Sequence, residues 1–428
     1  MALGGGTFIT ENKVLPGSYI NFVSAAKATA TLSDRGVAAL GLSLGWGPEE
    51  KVQYVDGNTF LTDTMAVFGY DYTAEEMWPL RELFLHAKEA YIYRLNKGGA
   101  KASCDLATAK YPGVRGNAIS VTVTGSDGDF VVETFVDGKS YDSQSVTAYG
   151  ELKENDFVVF DKSTTLAAGT KPLSGGSDGN VTAAEHSAML GALESYAFNT
   201  LGCLSTEEDI CQLYVTYTKQ MRDDYGRKFQ TVLYKAEANH EGIIRLETAA
   251  EEGEAALVPW VVGASCGCEI NKSNTNLIYD GTYTPICNLT QKELEDGMEQ
   301  GAFLLHRVGE EIRVLEDINS FTEFSQDKGE DFSYNQIIRV LDQIGNDIAV
   351  LFNNNYLGKV QNNNSGRIAF WNDIITYDRQ LAALGAIEDV VADDVVVEIG
   401  KDKKSVAVTN PITPVCAMSK LYMTVIVQ

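Results

Sequence analysis

The chain has 428 residues, 44% of them apolar and 10% aromatic. That suits two to four domains of roughly 100–200 residues each and excludes a disordered chain. Its 59 acidic and 34 basic residues leave a net charge of −25, a surface that repels phosphate backbones and so excludes nucleic acid as a partner. No apolar run reaches the length of about 18 residues that a membrane-spanning helix needs. The first residues lack the basic and apolar regions of a secretory signal, so the expected compartment is the cytoplasm.

Residues 1–29 read as an N-terminal arm with strand-like pieces at 7–10 and 18–22 around Pro16-Gly17, and nothing local pairs with them. Residues 30–97 read as a small α/β unit. An apolar run at 37–44 stops at Gly45-Trp46-Gly47-Pro48, a second strand is expected at 52–55 and a third at 89–95. Thr73 and Glu76 have capping-box spacing before a helix carrying Met77, Leu80, Phe84 and Ala87. Pro79 suits the first helical turn better than the interior, which moves the start to about Trp78.

Residues 98–181 are glycine-rich, with short alternating runs at 119–124, 130–136, 139–141 and 157–160. Asp127-Gly128 and Asp137-Gly138 between such runs are hairpin signals. This reads as an inserted β-sandwich with residues 169–179 as its exit linker. Residues 182–328 return to alternating helix and strand, an α/β middle domain with a largely parallel sheet. Three boxes, Thr182/Glu185, Ser205/Glu208 and Thr290/Glu293, mark helix starts, and Ile210, Tyr214, Tyr217 and Met221 form a helical stripe. Strands are expected at 229–235, 243–246 and 303–308, the last forming a hairpin with 311–315 across Gly309.

Residues 329–413 read as an α+β C-terminal domain. One helix carries Ile337, Ile338, Leu341, Ile344, Ile348, Leu351 and Phe352. A polar stretch at 353–366 ends it, and a second helix spans 367–386. Strands are expected at 390–399, 405–409 and 420–427. In the last, Leu421, Met423, Val425 and Val427 face one way and Tyr422, Thr424 and Ile426 the other. A strand apolar on both faces belongs inside a sheet, either that of its own domain or that of another molecule.

Chemistry is sparse. Gly263-Ala-Ser265-Cys-Gly267 matches G-x-S-x-G, and Asp280 or Asp296 with His306 would follow in hydrolase order. That motif needs a strand before it and a helix after it. Here Pro259 interrupts the preceding apolar run and a loop-like sequence follows, so no catalytic residue is assigned. Cys266 and Cys268 lack the second pair and the spacing of a zinc site. Ile244 stands where a zincin helix would need its second histidine after His240-Glu241. Seven scattered cysteines fit free thiols, four histidines make a histidine-rich metal site improbable, and no phosphate-binding loop occurs. No cofactor and no metal is expected.

Three stretches carry a family resemblance: Pro16-Gly-Ser-Tyr19-Ile-Asn-Phe22; Asp34-Arg35-Gly36 with Trp46-Gly47-Pro48-Glu49; and Ala417-Met-Ser-Lys-Leu-Tyr-Met-Thr-Val425. In this order they resemble contractile tail sheath proteins of phages and R-type bacteriocins of Gram-positive bacteria, over essentially the whole chain. The resemblance implies a non-enzymatic subunit that stacks as six-fold rings around an inner tube and contracts to drive that tube through a cell envelope. It implies that the middle domain has subtilisin-like topology without protease activity. It also implies strand-exchanging arms, here Ser18, Tyr19, Ile20, Asn21 and Phe22 at one end and residues 414–428 at the other, with Leu421, Tyr422, Met423, Thr424, Val425, Ile426 and Val427 as the added strand. Asp373, Asp378 and Arg379 on the second long helix become candidates for tube contact, and packing of that helix on its own domain is the plainer reading. The implied partners are other copies of the chain, a tail tube protein, and baseplate and tail-terminator proteins, in a particle assembled in the bacterial cytoplasm. Another virion structural protein, such as a tube or capsid subunit, and a hydrolase using Ser265 are the competing readings.

Overall fold

The apolar run near residue 40 forms β1 (Val37–Leu42), and five of its six residues are buried. Burial on both faces puts such a strand inside a sheet. The computed structural model describes residues 32–126, 128–161 and 165–427, so the expected strand at Ser18 to Phe22 lies outside the described residues. After β1 come β2 (Val52–Asp56), the short helices α1 (Gly57–Thr62) and α2 (Thr64–Phe68), then α3 (Trp78–Phe84) and β3 (Glu89–Arg94). The Thr73 box does not form. Thr73 donates from its backbone N and Oγ to Asp71 Oδ1 instead, and a 3-10 turn at Glu75–Met77 leads into the helix. Pro79 sits in the first turn of α3, where a missing N–H breaks no helical bond.

The β-rich stretch folds as β4 (Ala107–Ala109), β5 (Ile119–Ser126), β6 (Asp129–Val136), β7 (Lys139–Val146), β8 (Val158–Phe160) and β9 (Gly169–Pro172). Strands β7-β6-β5-β9 make one antiparallel sheet and β4-β8 a second. Val121, Val123, Val132 and Val136 join Leu152, Phe157 and Val158 in the core. Asp137 and Gly138 join β6 to β7 with φ of 52° and 72°, the left-handed pair that a two-residue hairpin requires. Residues 169–172 are not part of a linker: β9 pairs antiparallel with β5. The chain then leaves beside the segment by which it came, with bridges from Ser103 to Ser174, Ala100 to Ser177 and Lys97 to Asn180.

The chain continues through α4 (Ala183–Leu193), β10 (Thr200–Gly202), α5 (Glu208–Lys219), β11 (Gln230–Tyr234), β12 (Ile243–Leu246), α6 (Val258–Gly267), α7 (Gln291–Glu299), β13 (Ala302–Phe303), β14 (Leu305–Val308) and β15 (Glu311–Val314). The boxes at Thr182 and Thr290 form. The Ser205 box does not: α5 starts after Glu207, whose N–H donates to Ser205 Oγ. The apolar run before the G-x-S-x-G motif is the opening of α6, with Pro259 in its first turn. A helix apolar all round is a buried helix, and nine of the ten residues of α6 are buried.

Among the described residues, one sheet runs in the order β13-β12-β11-β10-β1-β3-β2. Its neighbours are parallel except for the antiparallel pair of β2 and β3. The stretches read from sequence as two α/β units, 30–97 and 182–328, therefore contribute to a single sheet, and the β module is inserted between β3 and α4. The architecture is multidomain α+β, with an N-terminal α/β part, β-sandwich elements and a C-terminal part.

Two compact units are present. The larger holds residues 33–346, 381–389 and 412–428; the smaller includes residues 347–380 and 390–411. The last elements are α8 (Asn335–Asn355), α9 (Asn364–Ala383), β16 (Val396–Ile399) and β17 (Val406–Thr409). In the smaller unit, Phe352, Tyr356 and Phe370 form an aromatic cluster. Trp371 Nε1 donates to Val395 O at 2.8 Å, and β16 and β17 form an antiparallel hairpin. The strand expected at 390–399 is short because a 3-10 turn occupies Ala392–Asp394. The strand expected at 420–427 pairs with no described residue of this chain.

Candidate assembly surfaces

The sites that could hold chemistry are occupied by packing. Ser265 lies within α6 and is 1% exposed, and its Oγ has no hydrogen-bond partner among the described residues. The motif's two glycines have a packing reason. A Cβ at Gly263 would stand 2.4 Å from Leu83 O, and one at Gly267 would stand 2.2 Å from His86 O. Glycine at both positions lets α6 lie against the backbone of α3 and the turn after it. Asp280 is taken by Trp260 Nε1 at 2.8 Å and His86 Nε2 at 3.1 Å. His306 lies on β14 opposite Arg313. No nucleophile elbow forms.

All seven cysteines are free. Burial pushes the Cys266 and Cys203 thiols up to about 12, which makes them inert. Cys203, Cys211 and Cys266 are buried; Cys416 is exposed.

Asp223, His240 and Glu241 bring three potential metal ligands together. Their hydrogen bonds argue against an ion. His240 Nδ1 accepts from Gly242 N at 3.0 Å, so the neutral ring carries its proton on Nε2, which faces Asp223 Oδ2 at 3.1 Å. A metal at Nε2 would need the opposite tautomer and would set two N–H groups against each other at Gly242. Glu241 is already paired with Lys328 Nζ at 2.7 Å.

The C-terminal helices and the final residues are different in kind. The first half of α8 buries a polar face. Arg339 Nη2 bonds Asp317 Oδ2 at 2.6 Å, and both side chains are 1% exposed. Asp317 also accepts from Asn274 N and Asn335 Nδ2. Burial pushes the Asp317 carboxyl upward, and Arg339 with these donors more than reverses it, so its pKa lies below the ordinary value. Asp342 pairs with Arg222 through both oxygens. Leu341, Ile344 and Ile348 of the predicted apolar stripe are only half-buried. Ile337, Ile338 and Leu351 of that stripe are buried, and Asn335, Gln336, Arg339, Asp342 and Gln343 are buried as well, which the apolar spacing alone did not reveal.

The three tube candidates on α9 meet different fates. Arg379 is exposed. Asp373 is half-buried and accepts from Tyr356 Oη at 2.6 Å. Asp378 is 0% exposed and accepts from Asn410 Nδ2 at 3.0 Å. Burial pushes its carboxyl up to about 6. Asp378 is thus corrected from a surface residue to an interior one.

The last described segment begins bonded and ends bare. Glu388 N donates to Thr413 O and Val415 N to Ala386 O. Gln336 then holds Val415 and Ala417. Beyond Ala417 no hydrogen bond joins the segment to any described residue. Leu421 is 84% exposed, Tyr422 91%, Ile426 81% and Val427 91%. The hairpin β16–β17 likewise exposes Val396, Ile399 and Val408.

Comparison with known proteins agrees with this distribution of features. Residues 327–428 match the phage tail sheath C-terminal domain, residues 179–320 the phage tail sheath protein central domain, and residues 35–95 the tail sheath protein Gp18 domain III N-terminal region. The sheath tail protein of Desulfitobacterium hafniense is 32% identical with a TM-score of 0.84, over 95% of this chain and 99% of that one. The sheath tail protein of Listeria innocua is 27% identical with a TM-score of 0.78, over 90% and 93%. The phage-like element PBSX protein XkdK of Bacillus subtilis (strain 168) is 28% identical over 99% of each chain. The chain belongs to the phage tail sheath protein family, and it is a structural subunit of a contractile tail rather than an enzyme.

Proposed function

We propose that residues 418–427 leave the subunit that carries them and complete a sheet of a neighbouring copy, and that Ser18 to Phe22 do the same from the other end. The carrying observation is the apolar final segment that pairs with no described residue of its own chain. Burying a side chain of the size of Leu421, Met423 or Ile426 is worth about 1.5–3 kcal/mol. Several left in water are a large free energy that only a partner recovers. The acceptor in this reading is β16–β17, since a two-stranded hairpin is marginal alone and its outward Val396, Ile399 and Val408 match an incoming alternating strand.

Contacts of this head-to-tail kind do not close on themselves, so they build an open helical lattice. The subunits stack as six-fold rings on an inner tube. The extended lattice is held above a better-packed contracted one, and the added strands stay paired as hinged links while the bodies rotate. The energy of contraction is the difference between two packings of one sequence. The domain scheme is an arm at 1–29, α/β parts at 30–97 and 182–328, the β insertion at 98–181 on the outside, the C-terminal domain at 329–413 and the final arm at 414–428. The subtilisin-like layout of the middle part is a reading of topology alone, supported by its parallel strands. On α9, exposed Arg379 is the contact for the tube protein. Baseplate and terminator proteins meet the two ends of the stack, and assembly takes place in the bacterial cytoplasm.

The test is a chain ending at Ala417. It should remain folded and soluble, with an unchanged melting transition, and form no tubular sheath in negative-stain micrographs. Regular tubes from this chain would overturn the reading.

A further inference from the structure

Gln336, Arg339 and Gln343 lie three and four residues apart on α8, so they share one side of the helix. All three are buried. Gln336 Nε2 donates to Val415 O at 3.1 Å, and its Oε1 accepts from Ala417 N at 2.9 Å. A primary amide offers the same donor and acceptor as a peptide group, so this side chain acts as one residue of a partner strand for residues 415–417. Two turns along, Gln343 Nε2 donates to Ser33 O at 3.1 Å and to Ser33 Oγ at 2.6 Å. Between them Arg339 bonds Asp317 Oδ2 at 2.6 Å and Lys272 O at 2.9 Å, which fixes this part of the helix to the core of the larger unit.

We infer that Gln336 and Gln343 are positioning residues for assembly, holding the two points at which the chain-end segments join the folded body. These points lie about 10 Å apart along one helix. The inference rests on the strand-addition reading above. It adds where the free arm starts and how load crosses the subunit. With Gln336 in place the arm is free from Met418, and residues 418–427 reach at most about 35 Å when extended. Without it, Cys416 and Ala417 join the free length, Val415 being held still by its N–H on Ala386 O, and the register on the acceptor strand is no longer set from the donor side. A pull on the final arm passes into α8 through Gln336 and into residues 386–388 through the bonds of Thr413 and Val415.

Gln336→Met keeps the length and most of the volume of the side chain and removes both bonds. In hydrogen exchange of the soluble full-length subunit, the amide of Ala417 should exchange about two- to tenfold faster. Exchange in β1 and β11 and the melting midpoint should stay unchanged. Gln336→Asn, one methylene too short to span both bonds, should move the same amide in the same direction, and Gln343→Met should raise exchange over residues 33–36. Unchanged exchange at Ala417 in Gln336→Met would overturn the inference, whatever the chain ending at Ala417 does. A lower melting midpoint with a uniform rise across the unit would also overturn it, because Gln336 would then be a packing residue only. Faster local exchange together with normal tubes from the chain ending at Ala417 would keep the anchor and refute strand addition instead.

Discussion

Replacing Asp378 with asparagine should stabilise the smaller unit at neutral pH, and the size of the effect follows from the burial of the carboxyl. Asp378 is 0% exposed, and its pKa rises from 3.8 to about 6. Burial is the main cause, and the bond from Asn410 only partly opposes it. The folded state holds its proton at pH values where the unfolded chain has lost it, so stability falls as pH rises between those values. The full contribution is present below about pH 4 and is lost above about pH 6, a difference of roughly 3 kcal/mol. The asparagine side chain would carry no charge to desolvate. Its amide would offer a donor near Asn410, whose Oδ1, like Asp378 Oδ1, has no partner among the described residues. Urea denaturation from pH 4.5 to 8, followed through the fluorescence of Trp371 on the same helix, reads the effect. The wild-type midpoint should decline with rising pH, and Asp378→Asn should flatten that decline and unfold at higher urea at pH 7.5. A variant less stable than wild type at pH 7.5, or one with the same pH dependence, would show that the buried Asp378 carboxyl carries no such cost.

Three further outcomes are expected. Arg339→Met leaves the buried Asp317 carboxylate without its cation and should cost about 3–5 kcal/mol in denaturant unfolding; adding Asp317→Leu should recover much of that loss. Ser265→Ala removes a buried hydroxyl that lacks a partner, so stability should change by under about 1 kcal/mol or rise, and tubes should form as before; loss of assembly would contradict the packing role given to α6. Arg379→Glu should leave the subunit's melting unchanged and weaken co-sedimentation of sheath with purified tube; unchanged co-sedimentation would remove Arg379 from the tube contact.

The legible parts of the fold were local. Asp137-Gly138 announced its hairpin because only a few residues tolerate two successive left-handed positions. Thr182 and Thr290 announced helix starts because their glutamates reach back within one turn. Ser205 carried the same spacing, and there the hydroxyl was spent on Glu207 N. The run ahead of Ser265 was misread because an apolar stretch interrupted by proline fits a broken strand as well as a helix with proline in its first turn. The joining of residues 37–94 and 200–303 in one sheet was not legible, since the pairing of β1 with β10 crosses the whole β insertion. At the candidate assembly surfaces, the two-faced apolar final segment could be read from alternation alone. Asp378 could not be placed, because a partial rotation about the axis of α9 separates an exposed carboxylate from a buried one. The glutamine anchors were invisible for a related reason: only packing decides that a polar residue on a helix faces inward.

The most direct measurement is an electron-microscopy reconstruction of the assembled sheath at a resolution that traces the backbone of residues 418–427. They should run as a strand hydrogen-bonded to β16 or β17 of another copy, with Leu421, Met423, Val425 and Val427 on one face. Residues folded back onto their own subunit, or left unpaired in the lattice, would contradict strand addition.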